Sequence, residues 1–228
     1  MRTFHAAIAA LAFALAIAAF CASPAHAQAD PRSLGPAQNY FRGRELEATG
    51  LMAQATAHYN ETVRVTLNEI SIGAATGGTY TFLTRALRRL GRHSEAISWG
   101  QQGLRLFPSE YAILDAMGQS YFFLGNFEQS LAHMERYASL MPNGDRISMA
   151  YFFMGEIFRL QGRFHRADIA YTQAVFFEPG MILWWYRLGS VREEAGDLES
   201  AARAYARAVE LSPNHAGARA ALARIAGN

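Results

Sequence analysis

The sequence predicts an all-α solenoid of antiparallel helix pairs, and three observations carry that expectation. Residue types recur at an interval of 34, lengthened by short insertions after the first and third copies, over most of the chain. Within each interval the apolar residues fall at helical spacing, i, i+3 and i+4. Each interval also carries a glycine near its middle and, in most copies, a proline at its end. Self-similarity of this length marks stacked supersecondary units, because one helix pair cannot bury its apolar face alone.

The elements follow in chain order. Arg2 and the uninterrupted apolar run Ala6 to Phe20 precede the small-residue pattern Ala25-His26-Ala27, the layout of a secretory leader cleaved after Ala27. The run of 15 is shorter than the roughly 20 apolar residues a spanning helix needs. The mature chain is therefore expected in the periplasm, not as an integral membrane protein. The only cysteine, Cys21, falls in this leader. The mature part then has no thiol, and packing alone must hold it together. Residues 28–35, with Pro31, read as a short polar linker.

The solenoid is expected over residues 36–215, in about five repeats starting near 36, 77, 111, 148 and 182. In the clearest copy stand Trp185, Leu188, Gly189, Gly196, Ala201, Tyr205, Ala208 and Pro213. Shifted back by 34 they become Tyr151, Met154, Gly155, Gly162, Ala167, Tyr171, Ala174 and Pro179. Trp185, Leu188 and Gly189 share one face of a first helix; Gly196 breaks the chain, and Pro213 stops the second helix. Small residues opposite Gly189 let the two helices approach closely, and the register assigns Trp185 and Tyr205 to the core around them.

Earlier copies are looser. Leu114, Met117, Gly118, Tyr121, Gly125, Ser130, Met134 and Pro142 form the third, followed by three extra residues near Asn143-Gly144. Tyr80, Leu83, Leu87, Gly91, Ala96 and Pro108 form the second, and Gly43, Leu46, Gly50, Ala55 and Tyr59 the first. Ile70 to Thr76 read as a flexible insertion between them. Two departures stand out: Gly100 where an aromatic is expected, and Tyr137 where alanine is. Gly100 and Gly103 in one helix each cost about 1 kcal/mol relative to alanine, which makes the second repeat the weakest unit, or one packed against something else. Residues 216–228, alanine-rich with Arg219 and Arg224, read as a capping helix.

These residues resemble the tetratricopeptide repeat family, whose pattern is an aromatic, Leu-Gly, Tyr, Gly, Ala, an aromatic, Ala and Pro. The resemblance implies a right-handed superhelical solenoid whose first helices line a concave groove for a protein or peptide partner. By register the groove presents Tyr40 and Arg44; Arg85, Arg88 and Arg89; Gln119, Phe122 and Phe123; Phe152, Glu156 and Arg159; and Tyr186, Ser190 and Glu193. Aromatic and arginine side chains of this kind are enriched at binding hot spots. Some family members hold a C-terminal carboxylate in a clamp of Lys, Asn and Arg. Here the matching positions are Tyr40, Arg44, Phe82, Ala112 and Ala116, so that clamp is absent. The resemblance further implies a scaffold or adaptor for an envelope complex, such as a pilus, secretion, polysaccharide-export or cytochrome-maturation system. A small-ligand accessory of a transporter is the alternative, and it requires a closed apolar pocket around Trp184 and Phe122.

Other chemistries find little support. The formal charge is +2, and without Arg2 the balance is 20 arginines against 19 acids, which points to no nucleic-acid partner. His58, His93, His133, His165 and His215 show no metal-ligand spacing and are expected mostly toward solvent. Gly73 to Gly78 lack the Lys-Ser/Thr of a phosphate loop. Glu193 and Glu194 are adjacent on a helix, about 100° apart, and make a poor acid/base pair. The expectation is a binding protein with no catalytic residue, no metal and no cofactor.

Overall fold

The structure is a computed structural model and describes residues 30–227; the expected leader, with Cys21, lies outside the described residues. Eleven α-helices follow one another among the described residues, with no strand. They are α1 (Pro36–Ala48), α2 (Met52–Ser71), α3 (Gly77–Arg89), α4 (His93–Leu106), α5 (Ala112–Phe123), α6 (Phe127–Leu140), α7 (Ile147–Leu160), α8 (Phe164–Phe177), α9 (Ile182–Glu194), α10 (Leu198–Leu211) and α11 (Ala216–Ala226).

The first helix of each pair stops at a glycine in the left-handed region: Gly50, Gly91, Gly125, Gly162 and Gly196, with φ of 80°, 73°, 74°, 69° and 83°. A side chain there would be strained, so glycine fixes where the chain reverses. The amide after each glycine reaches back to a carbonyl of the last turn, as Arg92 N–H does to Leu87 at 2.9 Å and Asp197 N–H to Arg192 at 2.9 Å. Orphan carbonyls are satisfied, and a new helix begins within two residues.

Each helix packs on its sequence neighbours, so the pairs stack in chain order into a superhelix. Among first helices there are further contacts, α1 with α3, α3 with α5 and α5 with α7, that second helices do not match. The first helices therefore lie on the inner, concave side of the curve.

Pairs are held by close approach at one place. A Cβ on Gly189 would come within 2.6 Å of the Tyr205 ring, on Gly155 within 2.8 Å of Tyr171, and on Gly43 within 2.6 Å of Tyr59. In the third pair Met134 takes the tyrosine's place, 2.9 Å from a Cβ on Gly118. Each tyrosine lies flat on bare helix backbone, and all three are buried. Burying such a ring removes a large apolar area from water while its hydroxyl keeps a polar partner.

The second pair reverses this arrangement, which accounts for Gly100. Thr84 stands where the others have glycine, and Gly100 where they have tyrosine. A Cβ on Gly100 would meet Met117 of α5 at 2.6 Å, and one on Gly103 would meet Tyr80 at 2.7 Å. The second repeat thus receives side chains from α5 and from its own first helix. Tyr137 also has a local reason. Its hydroxyl accepts the Arg146 N–H at 3.2 Å and sits where a Cβ on Gly144 would be, 2.5 Å away. The extra residues before α7 make room for it.

Four sequence expectations need correction. Trp184, not Trp185, is the enclosed indole: it is 2% exposed and stacks on Phe152 at 5.2 Å. Trp185 is half-buried between two core clusters and donates its Nε1–H to the Pro179 carbonyl at 2.8 Å. Residues 70–76 are not a flexible loop throughout, because α2 runs on to Ser71. Residues 30–35 are not a loose linker either. Pro31–Ser33 form a 3-10 turn, and the Asn39 amide donates to the Pro31 and Leu34 carbonyls at 2.8 and 2.9 Å. Finally, His58 is buried, its Nδ1 2.8 Å from the Asn39 Oδ1, where solvent was expected.

Two outcomes follow in denaturant unfolding. Trp184→Ala lowers stability by about 3–5 kcal/mol, as for other buried aromatics, and Trp185→Ala by clearly less; the reverse order would contradict this core assignment. Gly189→Ala costs about 1–3 kcal/mol through overpacking, and that cost shrinks when Tyr205 is already leucine.

Candidate functional site

The concave face is built from α1, α3, α5, α7 and α9, and a chain of ion pairs ties these helices to their successors. Glu47 of α1 receives Arg89 of α3 at 3.0 Å. Asp115 of α5 receives Arg146, just before α7, at 3.1 Å. Glu156 of α7 receives Arg187 of α9 at 3.0 Å, and Glu193 of α9 receives Arg224 of α11 at 2.7 Å. Each acid is thus neutralised by an arginine of the next repeat. The exposed Glu193–Arg224 pair contributes little by itself, whereas Asp115–Arg146 is nearly buried; together the four link neighbouring pairs.

The same acids reach into the pairs. The Tyr59 hydroxyl donates to Glu47 at 2.7 Å, Tyr171 to Glu156 at 2.6 Å, and Tyr205 to Glu193 at 2.8 Å. Burial, then the neighbouring carboxylate, raises the pKa of all three tyrosines well above the usual phenol value. The ring that fills the close approach is therefore also anchored to the concave face.

The site residues expected from sequence separate into two groups. Several are consumed by the fold. Gln119 is buried and donates Nε2–H to Asp115 at 2.8 Å, while Glu156 is buried among Tyr171, Arg159 and Arg187. Arg159 pairs with Glu156, Arg89 with Glu47, and Glu193 with Arg224. Phe152 lies against Trp184, and Phe122 packs on Phe153 at 5.0 Å. These rings pack against one another around Trp184 and Phe122. Tyr186 rests against Tyr205 and His215, with Ser190 beside the Tyr205 hydroxyl. The Tyr40 ring is enclosed by Phe41, Tyr59 and Phe82 rather than presented.

The second group faces outward or is left unpaired. Arg44 is exposed and Arg85 half-buried, and neither makes an ion pair among the described residues. Phe123 is 56% exposed and stacks on His93 at 4.9 Å, at the C-terminal ends of the first helices. Arg88 departs most from expectation: only 8% of it is exposed, and its buried Nε has no hydrogen-bond partner among the described residues. Burial first, and then the positive charge of Arg89, push its pKa down to about 10. It remains a cation at neutral pH, held among Tyr40, Asp115 and Arg146 on the concave side.

Sequence reasoning missed Glu47, Asp115, Arg146, Arg187 and Arg224. A signal for them exists: the separation from acid to arginine is 31 residues for Asp115–Arg146, for Glu156–Arg187 (187 − 156) and for Glu193–Arg224. Among the described residues no cluster of three or more His, Cys, Asp or Glu side chains could hold a metal, and no helix is long and apolar enough to cross a membrane.

Comparison with known proteins agrees with this architecture. Residues 182–215 match the tetratricopeptide repeat family. The chain is 28% identical over 97 residues to the BBSome complex member BBS4 of Bos taurus, a match that takes in 42% of this chain but only 18% of that relative's length. The fold is similar to that of TTC0263, a thermophilic TPR protein in Thermus thermophilus (TM-score 0.60, 18% identity, 85% of this chain and 100% of that one). It is also similar to YrrB, a TPR protein with an unusual peptide-binding site (TM-score 0.56, 17% identity, 80% and 89% covered). The fold is thus a tetratricopeptide-repeat solenoid, and residues 182–215 are one repeat of it.

The tyrosine–acid bonds set an alkaline limit. A phenol whose folded pKa lies above its unfolded value of about 10 stabilises the fold below that pH, and the stabilisation is lost as pH rises past it. The urea midpoint should therefore begin to fall near about pH 10 and keep falling above it, and fall less in a Tyr59→Phe/Tyr205→Phe variant. An equal fall in both would contradict these assignments.

Proposed function

We propose that this chain is a scaffold that holds a protein partner, as a peptide or a helix, on the concave face of its first helices. The observation that carries the reading is the composition of that face. Alongside the paired charges that stitch the repeats together stand Arg44 and Arg85, without ion-pair partners among the described residues, and exposed Phe41 and Phe123. Arginine and aromatic side chains left over after the fold has met its own needs are what interface hot spots are made of. Several stacked repeats offer ample length for an interface of standard size, about 800 Å² per partner. The peptide-binding site of YrrB and the membership of BBS4 in the BBSome complex support a binding role on this kind of fold.

The leader pattern of residues 1–27 supports export, with the mature protein acting in the periplasm. There it would assist assembly of an envelope complex such as a pilus, secretion, polysaccharide-export or cytochrome-maturation system. The role needs no cofactor and no bond-making chemistry; it needs a rigid curved surface and a partner that fits it.

A photo-crosslinking amino acid at Arg85, on the concave face, and at Ile169, exposed on second helix α8, tests the proposal in cells. A discrete protein-sized adduct from the Arg85 position and none from Ile169 is expected. Adducts only from Ile169, or none from either, would contradict it.

A further inference from the structure

Among the described residues the ion-pair chain along the concave face has one break, and it lies in α3. Four repeats offer an acid there, at Glu47, Asp115, Glu156 and Glu193, and each acid is met by an arginine of the next repeat. Helix α3 contains no Asp or Glu at all, and instead carries Arg85, Arg88 and Arg89. Arg89 is used by Glu47. Arg88, unlike Arg89, Arg159 and Arg187, whose Nε atoms are likewise buried without an acceptor, makes no ion pair among the described residues; around it lie the like charges of Arg89 and Arg146 and the carboxylate of Asp115.

The neighbouring acids are already engaged by other partners. The Asp115 Oδ2 accepts Arg146 at 3.1 Å and its Oδ1 accepts Gln119 at 2.8 Å. The Glu47 Oε1 accepts Arg89 at 3.0 Å and its Oε2 accepts Tyr59 at 2.7 Å. The Thr84 hydroxyl, one turn before Arg88 on the same side of α3, is also buried with no partner among the described residues. A cation withdrawn from water, whose one nearby acid, Asp115, is already paired with Arg146, is unfavourable to the fold. A methionine or leucine would fill the same space at no such cost. The arginine is thus out of place as a structural group and in place as a recognition group. A guanidinium takes a carboxylate in two parallel, charge-assisted hydrogen bonds, and in a partly desolvated site these are strong.

We propose that Arg88 is the seat for a carboxylate of an acidic partner segment lying across α1, α3 and α5, with Arg44 and Arg85 meeting further acids of the same segment. This rests on the concave-face reading above and specifies its partner: a segment rich in Asp or Glu. The incoming carboxylate completes the ion-pair chain at the one repeat that cannot complete it from its own sequence. It also makes the N-terminal half of the groove the specific half, since farther along the acids and arginines neutralise one another.

The test uses the full chain and a fluorescein-labelled octaglutamate peptide with an amidated C-terminus, read by anisotropy, beside thermal melting. Wild type binds the peptide saturably. Arg88→Met weakens that binding at least tenfold while melting at or above the wild-type temperature, and Arg136→Met, on second helix α6, changes neither. Octalysine amide does not bind. Equal affinity of Arg88→Met and wild type, absence of saturable binding to wild type, or a melting temperature for Arg88→Met several degrees below wild type would each overturn the proposal. If a partner were still crosslinked at Arg85 in such a case, the concave-face reading would stand and only the acidic assignment would fall.

Discussion

Everything in this molecule depends on how closely the two helices of a pair can approach, and a bare backbone facing a ring sets that distance. Gly43, Gly155 and Gly189 present no Cβ, and Tyr59, Tyr171 and Tyr205 occupy the space so left. A solenoid has no single large core, so each pair must be stable enough through its own packing and that of its neighbours. A flat ring on bare helix backbone satisfies this in little volume. The third pair does the same with the flexible Met134, and the second pair inverts the arrangement, taking Met117 from α5 onto Gly100. The spacing of the stack is preserved although the residues differ.

The second constraint is electrostatic and acts along the stack. The tyrosine that fixes helix spacing donates its hydroxyl to an acid on the concave face, and that acid accepts an arginine from the next repeat. Packing within a pair and register between pairs are therefore coupled through shared carboxylates. The concave face becomes a pre-organised surface whose charges are largely neutralised in place. What remains unneutralised is concentrated on α1 and α3, and a partner segment would find its binding energy there. Pre-organisation matters for such a surface, because ordering mobile side chains on binding costs free energy that a locked row does not.

Much of the fold was legible in the sequence, because the signals were local and repeated. Gly50, Gly91, Gly125, Gly162 and Gly196 mark the reversals directly, and the i, i+3, i+4 pattern marks the buried stripes. Finer choices were not legible, for physical reasons. Which of two adjacent tryptophans is enclosed depends on the angle at which α9 meets the preceding pair, and a rotation of one residue decides between Trp184 and Trp185. The expected groove residues mix side chains that the fold consumes, such as Gln119 and Glu156, with ones it leaves over, such as Arg44 and Arg85. Register alone cannot separate these, because the separation depends on partners a repeat away in the chain. Arg88 shows the difference most clearly: its register suggests a solvated groove charge, and the neighbouring helices enclose it.

The central claim is that the first helices, and the N-terminal ones in particular, form the binding surface. Hydrogen–deuterium exchange of the full chain, with and without octaglutamate amide at saturation, would locate the contact directly. The account predicts new protection confined to α1, α3 and α5 and to the turns that follow them. Protection centred on the second helices α8 and α10, or spread evenly over the chain, would contradict it.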